Sequence, residues 1–165
     1  MNMHQTSVYP QAQPFAGDEV EPFLARPLIA KLCTHNEDGT IHIVPIWFKY
    51  QNGEFILGTQ QVSRKVKNIE HDNRISLLVD THEPTLQAVI VQGVAKLDYD
   101  DVIPKRVAIF EKYIGAEDAP ELAERLADSF VPVIIRIRPE HMISFDYSKG
   151  FGLSGDLDAE MSNLL

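Results

Sequence analysis

Asn52-Gly53 constrains this chain more than any other two residues. The dipeptide separates two runs rich in β-branched and aromatic residues, IHIVPIWFKY (41–50) and FILGTQ (55–60). A two-residue hairpin turn whose twist matches its strands needs positive φ at both central positions, and Asn followed by Gly supplies it at the least steric cost. Residues 41–60 therefore read as two antiparallel strands. Upstream, LIAKLCTH (28–35) and the turn text NEDGT lead into the first of them, so three consecutive antiparallel strands are expected.

Strand text resumes in RISLLVD (74–80) and TLQAVIVQGVAKLDYD (85–100), where Gly93 marks a bulge or bend. DVIPKRVAIFEKYIG and PELAERLADSF then switch to helical spacing, with Val107, Phe110 and Ile114 on one face and Leu122 and Leu126 on another. These helices should pack outside the sheet. VPVIIRIRPEHMISFDY (131–147) returns to alternation and supplies a sixth strand. Six mostly antiparallel strands with few helices predict a mainly β fold, a small closed or partly closed barrel, because closure removes exposed edges.

A chain of 165 residues with 44% apolar composition can bury one sizeable core. Residues 1–17, rich in Gln and Pro, read as an N-terminal arm or a strap across a neighbouring surface, 18–147 as the folded domain and 148–165 as a tail. At the start of the domain, GDEVEPFLARP predicts a short helix with Asp18 as N-cap and Pro27 setting its end. The formal net charge of −9 argues against nonspecific binding to nucleic acid or to an anionic membrane, since both need a broad positive field. No apolar run reaches the roughly 20 residues needed to span a bilayer. With one cysteine, Cys33, and no apolar leader, a cytoplasmic location is expected.

Against that acidic background, GTQQVSRKVKNIEHDN (58–73) concentrates Arg64, Lys65 and Lys67 at the start of a predicted helix, 64–71, with Ser63 as N-cap. Cations there oppose the positive end of the helix macrodipole. A bound phosphate reverses the sign of the effect: free N–H groups of the first turn, the two cations and the Thr59 hydroxyl at the preceding strand end can converge on one anion. The alternative is a solvated basic face paired with Glu70 and Asp72, although such surface pairs contribute only about 0–1 kcal/mol.

The order VPIWFKY, Asn-Gly turn, FILGT, SRKVKNIEHDNRISLLVD, AVIVQGVAKLD resembles the flavin-binding split barrel of the pyridoxamine 5′-phosphate oxidase superfamily. The resemblance covers roughly 24–147 and is strongest over 41–98. It implies a six-stranded antiparallel split barrel of Greek-key type, a homodimer, and flavin mononucleotide (FMN) or a deazaflavin coenzyme in the groove between subunits. It implies phosphate contacts at Arg64, Lys65 and Thr59 beside Ser63, and ring contacts from the backbone of Val44, Pro45, Ile46 and Trp47, with Lys49 matching a lysine of the oxidase pattern. Val44 stands where that pattern has Arg, and Ala88 where it has Gln. The terminal text FDYSKGFGLSGDLDAEMSNLL has neither Arg nor His, the residue types with which the pyridoxamine-phosphate oxidases grip their substrate. The function implied is that of an FMN-dependent oxidoreductase passing hydride or electrons from a nicotinamide donor to a small molecule. A deazaflavin-dependent reductase and a non-catalytic flavin- or heme-binding protein are the alternatives.

Other candidates have plainer readings. Trp47 suits a barrel core or subunit interface about twice as well as a flavin-stacking position. Asp80, His82 and Glu83 are acid–base candidates that a turn before Pro84 explains more simply, and the histidines lack short metal-ligand spacing, so no metal is expected. Cys33 reads as a small buried hydrophobe.

Overall fold

A computed structural model describes residues 4–5, 13–82 and 86–149. The chain runs β1 (His4–Gln5), α1 (Val20–Ala25), β2 (Ala30–His35), β3 (Ile41–Ile46), β4 (Phe48–Gln51), β5 (Glu54–Gln60), α2 (Arg64–His71), β6 (Arg74–Asp80), β7 (Gln87–Asp98), α3 (Val102–Ile114), α4 (Ala119–Ser129) and β8 (Pro132–Asp146). The sheet order is β3-β2-β6-β7-β8-β5-β4, every pair antiparallel, with β1 added in parallel along β8. The architecture is the expected mainly β split barrel with helices outside it.

Its two ends explain how it closes. β3 and β4 lie at opposite ends of the strand order, yet only Trp47 separates them in the chain. The expected single strand 41–50 is thus two strands, the first paired with β2 and the second with β5. With β1, this raises the strand count from the expected six to eight. The hairpin forms as expected, Asn52 and Gly53 having φ of 52° and 77°. The α1 N-cap is Glu19 rather than Asp18, and its carboxylate accepts the Ala16 N–H at 2.6 Å.

Alternation puts Phe55 and Leu57 of β5 inside the barrel with Leu32, Phe48, Leu77, Val91 and Ile135, while Ile56 faces outward. A second cluster forms where α3 and α4 cover that outer face, Ile109, Phe110, Ala119 and Ala123 packing on Ile56 and Ile134. The face expected from spacing is present, although Val107 and Ile114 are only partly buried and Ile109 is fully buried. Before α1 the chain lies against β8: the Asp146 N–H donates to the Gln13 carbonyl at 2.7 Å, the Phe15 N–H donates to Ser144 Oγ at 3.0 Å, and Phe15 is buried.

The last turn of α3 holds the closure. The Phe48 N–H donates to the Tyr113 hydroxyl at 3.0 Å, which donates to the Leu28 carbonyl at 2.8 Å. Lys112 Nζ donates to the carbonyls of Leu24 and Phe48 at 2.8 and 3.1 Å and lies 3.4 Å from the centre of the Phe48 ring. Burial pushes the Tyr113 phenol up to about 12 and the Lys112 ammonium down to about 7.

Two consequences are measurable. The register of β7 on β8 shifts between Gln92 and Gly93, and a Cβ at Gly93 would meet the Arg138 carbonyl oxygen at 2.2 Å. Gly93→Ala must displace backbone and should lower the unfolding free energy by about 2 kcal/mol or more in urea titration. Lys112 loses its proton near pH 7 when folded and near its ordinary value of about 10.4 when unfolded. Between those values the unfolded chain binds more protons, so this group makes stability rise with pH. The stability of wild type relative to Lys112→Met should increase from pH 7 to 10, and a flat difference would contradict the assignment.

Candidate functional site

The β5 strand ends in Gly58-Thr59-Gln60, and α2 starts five residues after Thr59, at Arg64, with Ser63 in the N-cap position. The helix docks through buried Val66 and Ile69 and through Asn68, whose amide donates to Thr34 Oγ1 at 3.0 Å and Asn36 Oδ1 at 2.9 Å. Its predicted bounds, Arg64 to His71, match the observed ones. Ser63 adopts the extended backbone of an N-cap, but its side chain makes no capping bond; the hydroxyl lies 3.4 Å from Thr59 Oγ1. Lys65 Nζ donates to Thr59 Oγ1 at 3.1 Å.

These groups open onto one pocket of about 490 Å³. Of the expected site residues it brings together Pro45, Ile46, Trp47, Thr59, Ser63 and Lys65. Three others lie elsewhere. Arg64 is exposed and lines a separate hollow with Asn36, Asp38 and His42. Val44 packs its side chain on the barrel core, and Lys49 is half-buried on β4 opposite Ile56. A pair Arg64–Lys65 adjacent in sequence on a helix is about 100° apart around its axis, so both side chains cannot face one small pocket without a long detour.

The apolar wall comes from α3 and α4 through Phe110, Leu122 and Leu126. Trp47 lines the pocket and stacks on Tyr113, ring centres 4.6 Å apart, with Phe110 edge-on at 5.6 Å. β3 is an edge strand, so alternate backbone groups along 41–46 are free of sheet pairing on its outer side, and Pro45 is tolerated there.

Arg106 completes the lining and is a residue that sequence reading missed. It sits in a run read as amphipathic helix, where an arginine at one position carries no distinguishing pattern. Its Cγ lies where a Cβ at Gly58 would come within 3.2 Å, so β5 is glycine at the point where the arginine stem crosses it. Arg106 is 4% exposed, and its Nε and Nη1 are buried without a hydrogen-bond partner. Among the described residues no Asp or Glu lines the pocket, and burial alone lowers the pKa of both Lys65 and Arg106. A pocket with one buried and one half-buried cation, hydroxyl donors, a helix N-terminus and no carboxylate among its described residues fits an anionic group joined to an apolar or aromatic body. The acid–base candidates do not join it: Asp80 is paired with Lys31, His82 is exposed, and Glu83 lies outside the described residues.

The model of the pyridoxamine 5′-phosphate oxidase family matches residues 16–145. No curated protein matches the chain. Among solved structures, a conserved hypothetical protein from Mycobacterium tuberculosis is similar over 86% of this chain and 91% of its own, at 24% identity and TM-score 0.75. An F420 reductase matches over 74% and 94% at 22% identity and TM-score 0.58. A FAD-binding protein from Mesorhizobium loti matches over 82% and 95% at 19% identity and TM-score 0.58. These likenesses share the fold seen here, and the family match spans nearly all of the barrel: the chain belongs to the pyridoxamine 5′-phosphate oxidase family.

Proposed function

We propose that this chain is a cytoplasmic, homodimeric flavoprotein that binds FMN and passes hydride or electrons from a nicotinamide donor to a small molecule. The observation that carries the reading is the pocket at the β5–α2 junction, where half-buried Lys65 stands beside two hydroxyls and an aromatic wall with no carboxylate among the described lining residues. Lys65 Nζ, the Thr59 and Ser63 hydroxyls and the first-turn N–H groups of α2 hold the phosphate. Arg64 contributes through its backbone N–H at the helix start, while its side chain remains outside. Edge-strand backbone groups of 44–47 meet the ring system, and Trp47, Phe110, Leu122 and Leu126 exclude water from it. Lys49 belongs to the rim on the β4 side. When bound, the flavin supplies the redox chemistry, and the protein supplies position and charge.

Support for a second subunit comes from β3, whose outward residues Ile41 and Ile43 are 51% and 60% exposed next to the pocket residue Pro45. An exposed apolar edge of that kind calls for cover. β7 makes a weaker case, since its outward positions include exposed Gln92 and Lys96.

The purified protein should show, or acquire with added FMN, a flavin absorption spectrum that bleaches under anaerobic NADH or NADPH. Absence of both bound chromophore and FMN uptake would overturn the reading; competitive titration with a deazaflavin coenzyme decides between the two cofactors. A bound flavin that neither donor bleaches would point to a binding protein instead. Ile43→Glu should convert the dimer to a monomer in sedimentation and weaken FMN binding at least about tenfold. A monomer that retains full affinity would sink the shared-groove arrangement.

A further inference from the structure

Arg74 and Arg136 both rest on carboxylates, Asp72 and Glu54. Arg106 does not. It projects from α3 into the pocket, nearly fully buried, with Nε and Nη1 lacking any acceptor among the described residues. Phe110 covers the guanidinium, whose Cζ is 5.4 Å from the ring centre, but a ring face offers no hydrogen-bond acceptor of comparable strength. A guanidinium cannot shed its proton to escape burial, so its charge persists. The other ionisable group among the described residues lining its pocket is also a cation, half-buried Lys65, and none of those residues is an acid. A nearly fully buried guanidinium with a second cation beside it and no counter-charge is unfavourable, and an anion in the pocket relieves it.

We propose that Arg106 and Lys65 form a two-cation cradle for a doubly charged phosphate monoester, with Arg106, and not Arg64, as the second cation. The identity of the attached group as a flavin rests on the functional reading above; the charge of the anion does not. A phosphate monoester carries about −1.5 to −2 at pH 7, because its second pKa is about 6. A carboxylate or a phosphodiester carries a single charge and leaves one cation uncompensated. A buried and a half-buried cation, with no acid among the described lining residues, therefore select the monoester. The arrangement also joins the α3 helix to the phosphate end of the pocket, so that the helix which closes the barrel at Phe48 also contributes to ligand binding.

The test uses the full chain as wild type, Arg106→Met, Arg106→Lys and Arg64→Met, titrated with FMN, riboflavin and inorganic phosphate. Arg106→Met should weaken FMN binding by about tenfold to hundredfold, the range for loss of one charge-assisted contact, and leave riboflavin within about threefold. Arg64→Met should leave both within about threefold. Without ligand, Arg106→Met should melt no lower than wild type, since an unpaired buried charge is removed, and inorganic phosphate should raise the melting temperature of wild type but not of this variant. Unchanged FMN affinity, or equal loss for FMN and riboflavin, would overturn the assignment. Should Arg106→Met not fold, Arg106→Lys decides: a loss confined to FMN supports the cradle, and an unaltered ratio of FMN to riboflavin affinity overturns it. If wild type binds no flavin at all, the functional reading falls, while stabilisation by inorganic phosphate that depends on Arg106 still upholds the anion site. Absence of that stabilisation as well would end the inference.

Discussion

The peptide group of Phe48 is the point on which this barrel closes. One stretch of chain, 41–51, must serve both ends of the sheet, and it can do so only if it changes partners within a single residue. Changing partners strips the backbone around Trp47 of sheet hydrogen bonds, and a buried peptide left unpaired costs about 1–3 kcal/mol. Tyr113 and Lys112 at the end of α3 take up the N–H and the carbonyl of Phe48, and the same two side chains reach the carbonyls of Leu28 and Leu24. The helix thereby ties the closure to α1 and to the entry of β2. Without that brace, the split between β3 and β4 would be an open edge rather than a pocket wall.

The brace also positions the site. Because α3 is held at Phe48, its preceding turns lie across the outer face of β5 and β8, with Phe110 beside Trp47 and Arg106 over Gly58. The pocket therefore has an origin in packing: β5 and α2 contribute the hydroxyls and Lys65, β3 contributes a free backbone edge, and α3 with α4 contribute the apolar wall and a second cation. In a chain of formal net charge −9, the pocket lining contains no acid among the described residues. Keeping Arg106 buried beside Lys65 without an acid opposes stability, and a protein tolerates such local conflicts where a ligand resolves them.

Much of this was legible in the residues. Asn52-Gly53 dictated the β4–β5 hairpin because few other pairs accept two positive φ values, and Gly93 marked the bulge because the partner backbone leaves no room for a Cβ. The α2 helix and its bounds followed from Ser63 and the spacing of Val66 and Ile69. The break at Trp47 was not legible, since IHIVPIWFKY reads as one strand on propensity and alternation alone; only the competition of two neighbouring strands for the same stretch divides it. Likewise the N-cap of α1 shifted to Glu19, because its carboxylate reaches the Ala16 N–H as the chain turns off β8.

The candidate site divides in the same way. Sequence by itself determined that a cation-rich helix start follows a Thr-ended strand, an arrangement whose electrostatics call for an anion whatever the surrounding fold. It also determined which local segment carries the proposed anion site, because strand end, N-cap and first turn are contiguous. Which cations face it was decided by tertiary structure alone. Arg64 and Lys65 are neighbours in sequence but diverge around the helix axis, whereas Lys65 and Arg106, on separate helices, are brought into one pocket by the packing of α3 over β5. Side-chain direction depends on how an element docks, and docking is set by long-range burial that no local pattern of residues encodes.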